Sequence, residues 1–189
     1  MAVMGGDNPS RFPHPQRPVE RVSWDEAQQF IQRANEQFTG LNLRLPTEAE
    51  WEYACRAGTE SATWAGDQKN LGQNNAPYNN RKSGTRIVAQ MQASPWGLYD
   101  MFGNVWEWCA DEPDPEGPDA DAERVVRGGS WGAYARRCRA AYRLQAHRGK
   151  RAYDVGFRCA RVSPSTSEGG VVVACYPDIA AAQQALAAE

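Results

Sequence analysis

Apolar residues recur with a helical period in two places along the chain. Ala27, Phe30, Ile31 and Ala34 stand at i, i+3, i+4 and i+7, a spacing that turns one stripe of a helix toward a core. Ser23 and Glu26 ahead of them form a capping box, hydroxyl and carboxylate satisfying amides at the helix start, and Gly40 supplies a stop. A second, shorter helix follows residues 41–45, a brief apolar segment. Thr47 and Glu50 repeat the capping box, and Trp51, Ala54 and Cys55 make the inner face. Helices this short depend on tertiary packing.

Beyond them the helical period disappears. Residues 58–95 are polar and rich in asparagine, with one strand expected at 86–89; a connection so long is usually held by a function or an ion. Residues 124–131 and 155–162 read as strands, with Gly128, Gly129 and Gly156 where backbones approach closely. Residues 132–154, between them, follow neither period. Fixed ends around an irregular middle predict a displayed loop. Residues 1–162 are expected to form one domain. Residues 163–189 read as a linker with a small strand and an alanine-rich helix.

Composition adds constraints. A chain of 189 residues buries about 70% of its unfolded surface without extra staples. Seven Trp, 17 Gly and 12 Pro favour irregular structure built on aromatic anchors over a helical bundle. The net charge of −2 gives no general attraction to nucleic acid or membrane. Charge is unevenly placed, however. Glu107, Asp111, Glu112, Asp114, Glu116, Asp119, Asp121 and Glu123 precede a basic stretch of Arg136, Arg137, Arg139, Arg143, Arg148, Lys150 and Arg151, interleaved with Tyr134, Tyr142, His147 and Tyr153. Arginine and tyrosine together mark binding surfaces, against the plainer reading of a solvated basic face. With neither a signal-peptide pattern nor a long apolar run, the expectation is no membrane span and a cytoplasmic location. Five cysteines without CxxC spacing argue against zinc. A hydrolytic triad would have to use His14 or His147, so no catalytic set is expected.

Five blocks in order, PVERVSWDEAQQFIQRAN, LRLPTEAEWEYACRAGT, GLYDMFGNVWEWCAD, RVVRGGSW and GFRCAR, resemble the formylglycine-generating-enzyme, or sulfatase-modifying-factor, domains. The resemblance implies an α+β, C-type-lectin-like fold with two short helices, a small twisted sheet and much irregular loop, here without the usual first strands. Its oxygenase members hold Cu(I) between two cysteines five residues apart, and one thiolate cannot replace the pair. Cys138 matches the second cysteine, but Ala133 stands at the first. No copper is therefore expected, and a copper oxidase acting on protein cysteine becomes the alternative reading. The resemblance further implies Ca²⁺ held by the side chains of Asp100 and Glu107 and the carbonyls of Gly103 and Val105, hard oxygen donors suited to that ion. It also implies a disulfide between Cys55 and Cys159, with Cys109 and Cys138 as a second candidate pair.

Within this family the chain most resembles the variable proteins of diversity-generating retroelements, which are non-catalytic. There, adenine-directed mutagenesis rewrites codons between the RGGSW-like and GFR-like blocks, commonly starting from AAC. Gly132, Ala133, Tyr134, Arg137, Leu144, Ala146, His147, Ala152, Tyr153 and Asp154 are all reachable from AAC, whereas Gln145 and Lys150 are not. The resemblance thus implies a hypervariable, ligand-binding surface at 132–154 whose partner is a protein or another surface ligand.

Overall fold

The computed structural model describes residues 3–66, 84–113, 122–162 and 171–173. The acidic residues Asp114, Glu116, Asp119 and Asp121, most of the asparagine-rich stretch, and the expected linker and C-terminal helix lie outside them. Both helices form where the capping boxes place them. Helix α1 (Trp24–Gln37) buries Ala27, Ile31 and Ala34, and α2 (Glu48–Arg56) buries Trp51, Ala54 and Cys55. In each, the N-cap side chain and the third helical carboxylate bond reciprocally. No helix of the described residues is long and apolar enough to cross a membrane.

Two small sheets complete the α+β fold. Strands β1 (Leu43–Arg44), β6 (Ala160–Val162) and β7 (Val171–Val173) form one, in the order β1-β6-β7. The strand expected in the C-terminal extension thus joins the domain's own sheet. The other sheet has the order β4-β3-β2-β5, from β2 (Trp106–Trp108), β3 (Glu123–Arg127), β4 (Arg143–His147) and β5 (Val155–Phe157). Its pairs are antiparallel except β2 with β5, which run parallel from Trp106↔Val155 to Trp108↔Phe157.

Three sequence expectations need correction. Residues 132–154 are not one irregular loop, because β4 pairs with β3 over five residues, from Glu123↔His147 to Arg127↔Arg143. Its alternation is short: only Leu144 and Ala146 turn inward, between exposed Arg143, Gln145 and His147, and two weak apolar positions carry little periodic signal. Residues 155–162 are two strands in different sheets, broken where Arg158 turns into the interior. Residues 86–89 form no strand. Their backbone is held by Asn104, whose amide accepts from Arg86 N at 3.0 Å and donates to Arg86 O at 3.3 Å, and by Gln16 O, which accepts from Val88 N.

The core is built on tryptophans whose indoles also tie distant backbone together. Trp51 and Trp108 are fully buried. Trp108 Nε1 donates to Val22 O at 3.0 Å, Trp24 Nε1 to Cys109 O at 2.9 Å, and Trp51 Nε1 to Glu107 Oε2 at 2.6 Å. Glu107 is itself clamped by Arg158, at 2.6 and 2.7 Å, with both side chains almost wholly buried. A buried charge pair of this kind is tolerable only when its remaining hydrogen-bonding capacity is filled, and the Trp51 indole contributes to that.

Candidate functional site

A cleft of about 310 Å³ opens at one end of the four-stranded sheet, lined by Trp106, Ser130, Trp131, Gly132, Ala133, Arg137, Tyr153 and Asp154. Strand directions explain why these residues meet. Where parallel β2 and β5 begin, antiparallel β3 ends, so Trp106, the residues after Arg127 and those before Val155 converge. Trp106 N donates to Asp154 O at 2.8 Å, and Trp131 N to Asn104 O at 2.9 Å. Gly128 and Gly129, with φ of +94° and +82°, make the corner that turns the chain from β3 into the cleft wall. A side chain at Gly129 would strike Cys138.

Ser130 is buried and donates to Asp154 Oδ2 at 2.9 Å. The aromatic wall is continuous: Trp131 lies 5.7 Å from Tyr153, and Phe12 meets Trp131 edge-on at 5.8 Å. The Arg11 guanidinium stands 5.5 Å from the Tyr153 ring. The Trp131 indole N–H is buried with no hydrogen-bond partner among the described residues.

Of the ten positions implied as a variable surface, five line this cleft: Gly132, Ala133, Arg137, Tyr153 and Asp154. Tyr134 is exposed beside them, with Arg136 stacked on its ring. The other four go elsewhere. Leu144 and Ala152 pack against the core, and Ala146 is buried, so it presents no surface to a ligand. His147 is exposed but pairs with Glu123, at the far end of β4, roughly 14 Å from the strand's cleft end at about 3.4 Å per residue. There its Nδ1 accepts from Gly149 N at 3.1 Å.

The basic stretch also divides. Arg143, Arg148 and Arg151 pair with Glu48, Asp25 and Glu26 in the first turns of the helices, so they brace the fold. Trp106, Ser130 and Trp131 carry no sign of site membership beyond their blocks. Phe12 and Arg11 carry none, since they arrive from more than a hundred residues away.

Cys138 lies behind the cleft wall, fully buried, and burial pushes its thiol up to about 12. Cys55 donates to Met101 O and Cys109 to Glu107 O, and burial raises both thiols well above the ordinary value. Cys55, Cys109 and Cys138 are buried and unbridged in this structure. As small buried residues they serve packing.

The implied calcium donors fit that ion only in part. Burial raises the Asp100 carboxyl above its ordinary range and the nearby charge of Glu107 adds to this, while hydrogen bonds from Ala89 N and Asn104 and the charge of Arg158 oppose it. A cation would relieve that carboxylate. Glu107, by contrast, already has its cation in Arg158. Among the described residues no three His, Cys, Asp or Glu side chains cluster as a metal cage.

Residues 4–163 match the Sulfatase-modifying factor enzyme 1-like domain, and the chain belongs to that family. It is 36% identical over 180 residues to the formylglycine-generating enzyme of Streptomyces coelicolor, covering 81% of this chain and 55% of that protein. It is 34% identical over 159 residues to the inactive C-alpha-formylglycine-generating enzyme 2 of Mus musculus, covering 76% and 48%. The chain thus spans about half the length of these relatives. Among solved structures it superposes on Treponema denticola variable protein 1 with a TM-score of 0.72 and 30% identity, covering 82% of this chain and 77% of that one. The resemblance to variable proteins thus extends to the fold.

Proposed function

We propose that this chain is a non-catalytic binding protein that holds ligands in the cleft between Trp131 and Tyr153, on a scaffold whose cleft residues are diversified by a retroelement. The observation that carries this reading is the convergence of five AAC-reachable positions, from the two ends of residues 132–154, on one cleft. Of the five, Tyr153 is exposed, Gly132, Arg137 and Asp154 are half-buried and Ala133 is buried; substitutions at exposed positions usually change stability by under about 0.5 kcal/mol, so binding varies there while the fold persists. The ligand is a protein or another surface molecule. Calcium, on this reading, is structural and acts at Asp100.

Sequencing codons 132–154 across a population of the source cells tests the diversification. Substitutions concentrated at template adenines, with RGGSW and GFR unchanged, are expected; a uniform sequence in independent isolates would refute it. Tyr153→Ala combined with Tyr134→Ala tests the surface, since ligand binding should be lost while the melting temperature stays nearly unchanged.

A copper oxidase is the second reading, favoured by the identity to formylglycine-generating enzymes. Soft thiolates are what hold Cu(I), and here Ala133 leaves Cys138 without the second cysteine of the pair, while burial raises the Cys138 thiol and disfavours its ionisation. Titration with Cu(I) under a competing chelator should reveal no tight site. A tight one-to-one complex, lost in Cys138→Ser, would restore the oxidase reading.

A further inference from the structure

Opposite charges stand on the cleft wall without neutralising each other. Arg137 and Asp154 both line it, yet they form no ion pair. Most arginines around them are engaged. Arg127 bonds Glu48, Glu52 and the Ala140 carbonyl, Arg158 holds Glu107, and Arg148 and Arg151 hold the start of α1. The Arg137 guanidinium has no hydrogen-bond, ion-pair or ring partner among the described residues. The Asp154 carboxylate accepts only the neutral Ser130 hydroxyl, at 2.9 Å, and no cation among the described residues pairs with it. The rings of Trp106, Trp131 and Tyr153 line the same cleft.

Resting on the binding reading above, we infer that the cleft selects a dipolar segment of a protein ligand: a carboxylate side chain for Arg137, a basic side chain for Asp154, and an apolar residue between them against the aromatic wall. A carboxylate forms two parallel hydrogen bonds with a guanidinium, and an ammonium or guanidinium completes the acceptor capacity of Asp154. A ligand of one sign gains at one of these groups and is repelled by the other, so charge order supplies selectivity as well as attraction. The volume of about 310 Å³ lies at the small end of ligand clefts. It suits a short protruding stretch of chain, and the half-exposed rings of Tyr134 and Tyr153 extend the contact beyond what a free amino acid would use.

The test is selection of a displayed random-heptapeptide library on the full chain, counter-selected on the folded Tyr134→Ala/Tyr153→Ala variant so that only cleft-dependent sequences survive. Surviving peptides are then synthesised and titrated against wild type, Arg137→Gln and Asp154→Asn. The expected result is enrichment of sequences carrying one acidic and one basic residue about an apolar one. Arg137→Gln should weaken these about tenfold, and should not weaken partners in which Glu is replaced by Gln. Asp154→Asn should do the same with respect to the basic residue, a charged hydrogen bond being lost in each case.

Cleft-dependent peptides without charge preference, or peptides indifferent to both substitutions, would overturn the dipolar inference and leave the binding function standing. Failure to enrich any cleft-dependent sequence would overturn both.

Discussion

At Glu107 two requirements of the interior meet: a buried guanidinium needs an anion, and the Trp51 indole needs an acceptor. Glu107→Gln removes the carboxylate that neutralises buried Arg158, and breaking a buried pair from one side costs about 3–5 kcal/mol. A chemical-denaturation midpoint should fall accordingly; a variant as stable as wild type would mean that water reaches Arg158. Glu50 gives the opposite case near the surface. The Arg44 guanidinium, aided by the Thr47 amide, lowers its carboxyl from 4.5 to about 2. A depressed folded value contributes stability that is present above about pH 4.5 and lost as pH falls toward 2. Glu50→Gln should therefore flatten the stability profile in that window, by a modest amount because the pair is partly solvated. Asp100 has the reverse sign. Its raised value means that stability declines as pH rises from its ordinary 3.8 through the folded value. In chelator at pH 7, Asp100→Asn should be at least as stable as wild type. Added millimolar Ca²⁺ should raise the melting temperature of wild type alone, and equal response or none in both proteins would remove calcium from the site.

Among the elements, β5 depends most on contacts that its own sequence does not announce. A Cβ at Gly156 would collide with the backbone carbonyl of Val19, so the N-terminal segment crosses directly over this strand. Arg21 N donates to Ala152 O and Trp24 N to Arg148 O along the same crossing. Gly156→Ala should cost about 1–3 kcal/mol through overpacking and, by lifting the segment that carries Phe12, loosen the cleft as well. Protection of the amides of Arg21 and Trp24 from hydrogen exchange reports that lifting, and unchanged protection would contradict it. Strand β4 limits the proposed diversification in a related way. Ala146 faces the core while Tyr134, Arg137 and Tyr153 do not, so population sequencing should find only small residues at 146 and large changes at the other three. Bulky or charged residues recovered at 146 in folded protein would show that β4 is not held as described.

On the scale of the whole molecule, the cleft exists because three strand ends coincide, two parallel starts and one antiparallel finish. The corner after Gly129 packs Ser130, Trp131 and Ala133 inward and leaves Tyr134 exposed beyond it. Family membership does not by itself decide chemistry here, since similarity extends both to formylglycine-generating enzymes and to an inactive relative. The position on which the proposed separation turns is Ala133, buried where the oxygenase pattern has its first cysteine, with the Cys138 thiol raised by burial behind it.

The sequence by itself determined what is local. Capping boxes and an i, i+3, i+4 stripe are written within a few residues, so both helices and their buried faces could be read directly, and the ordered blocks carried the fold and the missing cysteine. Tertiary structure alone decided which residues share a surface. His147 and Asp154 are seven positions apart in one basic stretch, yet pairing in β4 sends the first to the far end of the sheet and the start of β5 holds the second in the cleft. Arg143, Arg148 and Arg151 look like Arg137 in sequence, and only the folded chain brings the first three to the acidic helix starts and Arg137 to the cleft. Strand register and long-range ion pairing are set by contacts across tens to more than a hundred residues, and a local pattern of apolar and polar positions does not encode them.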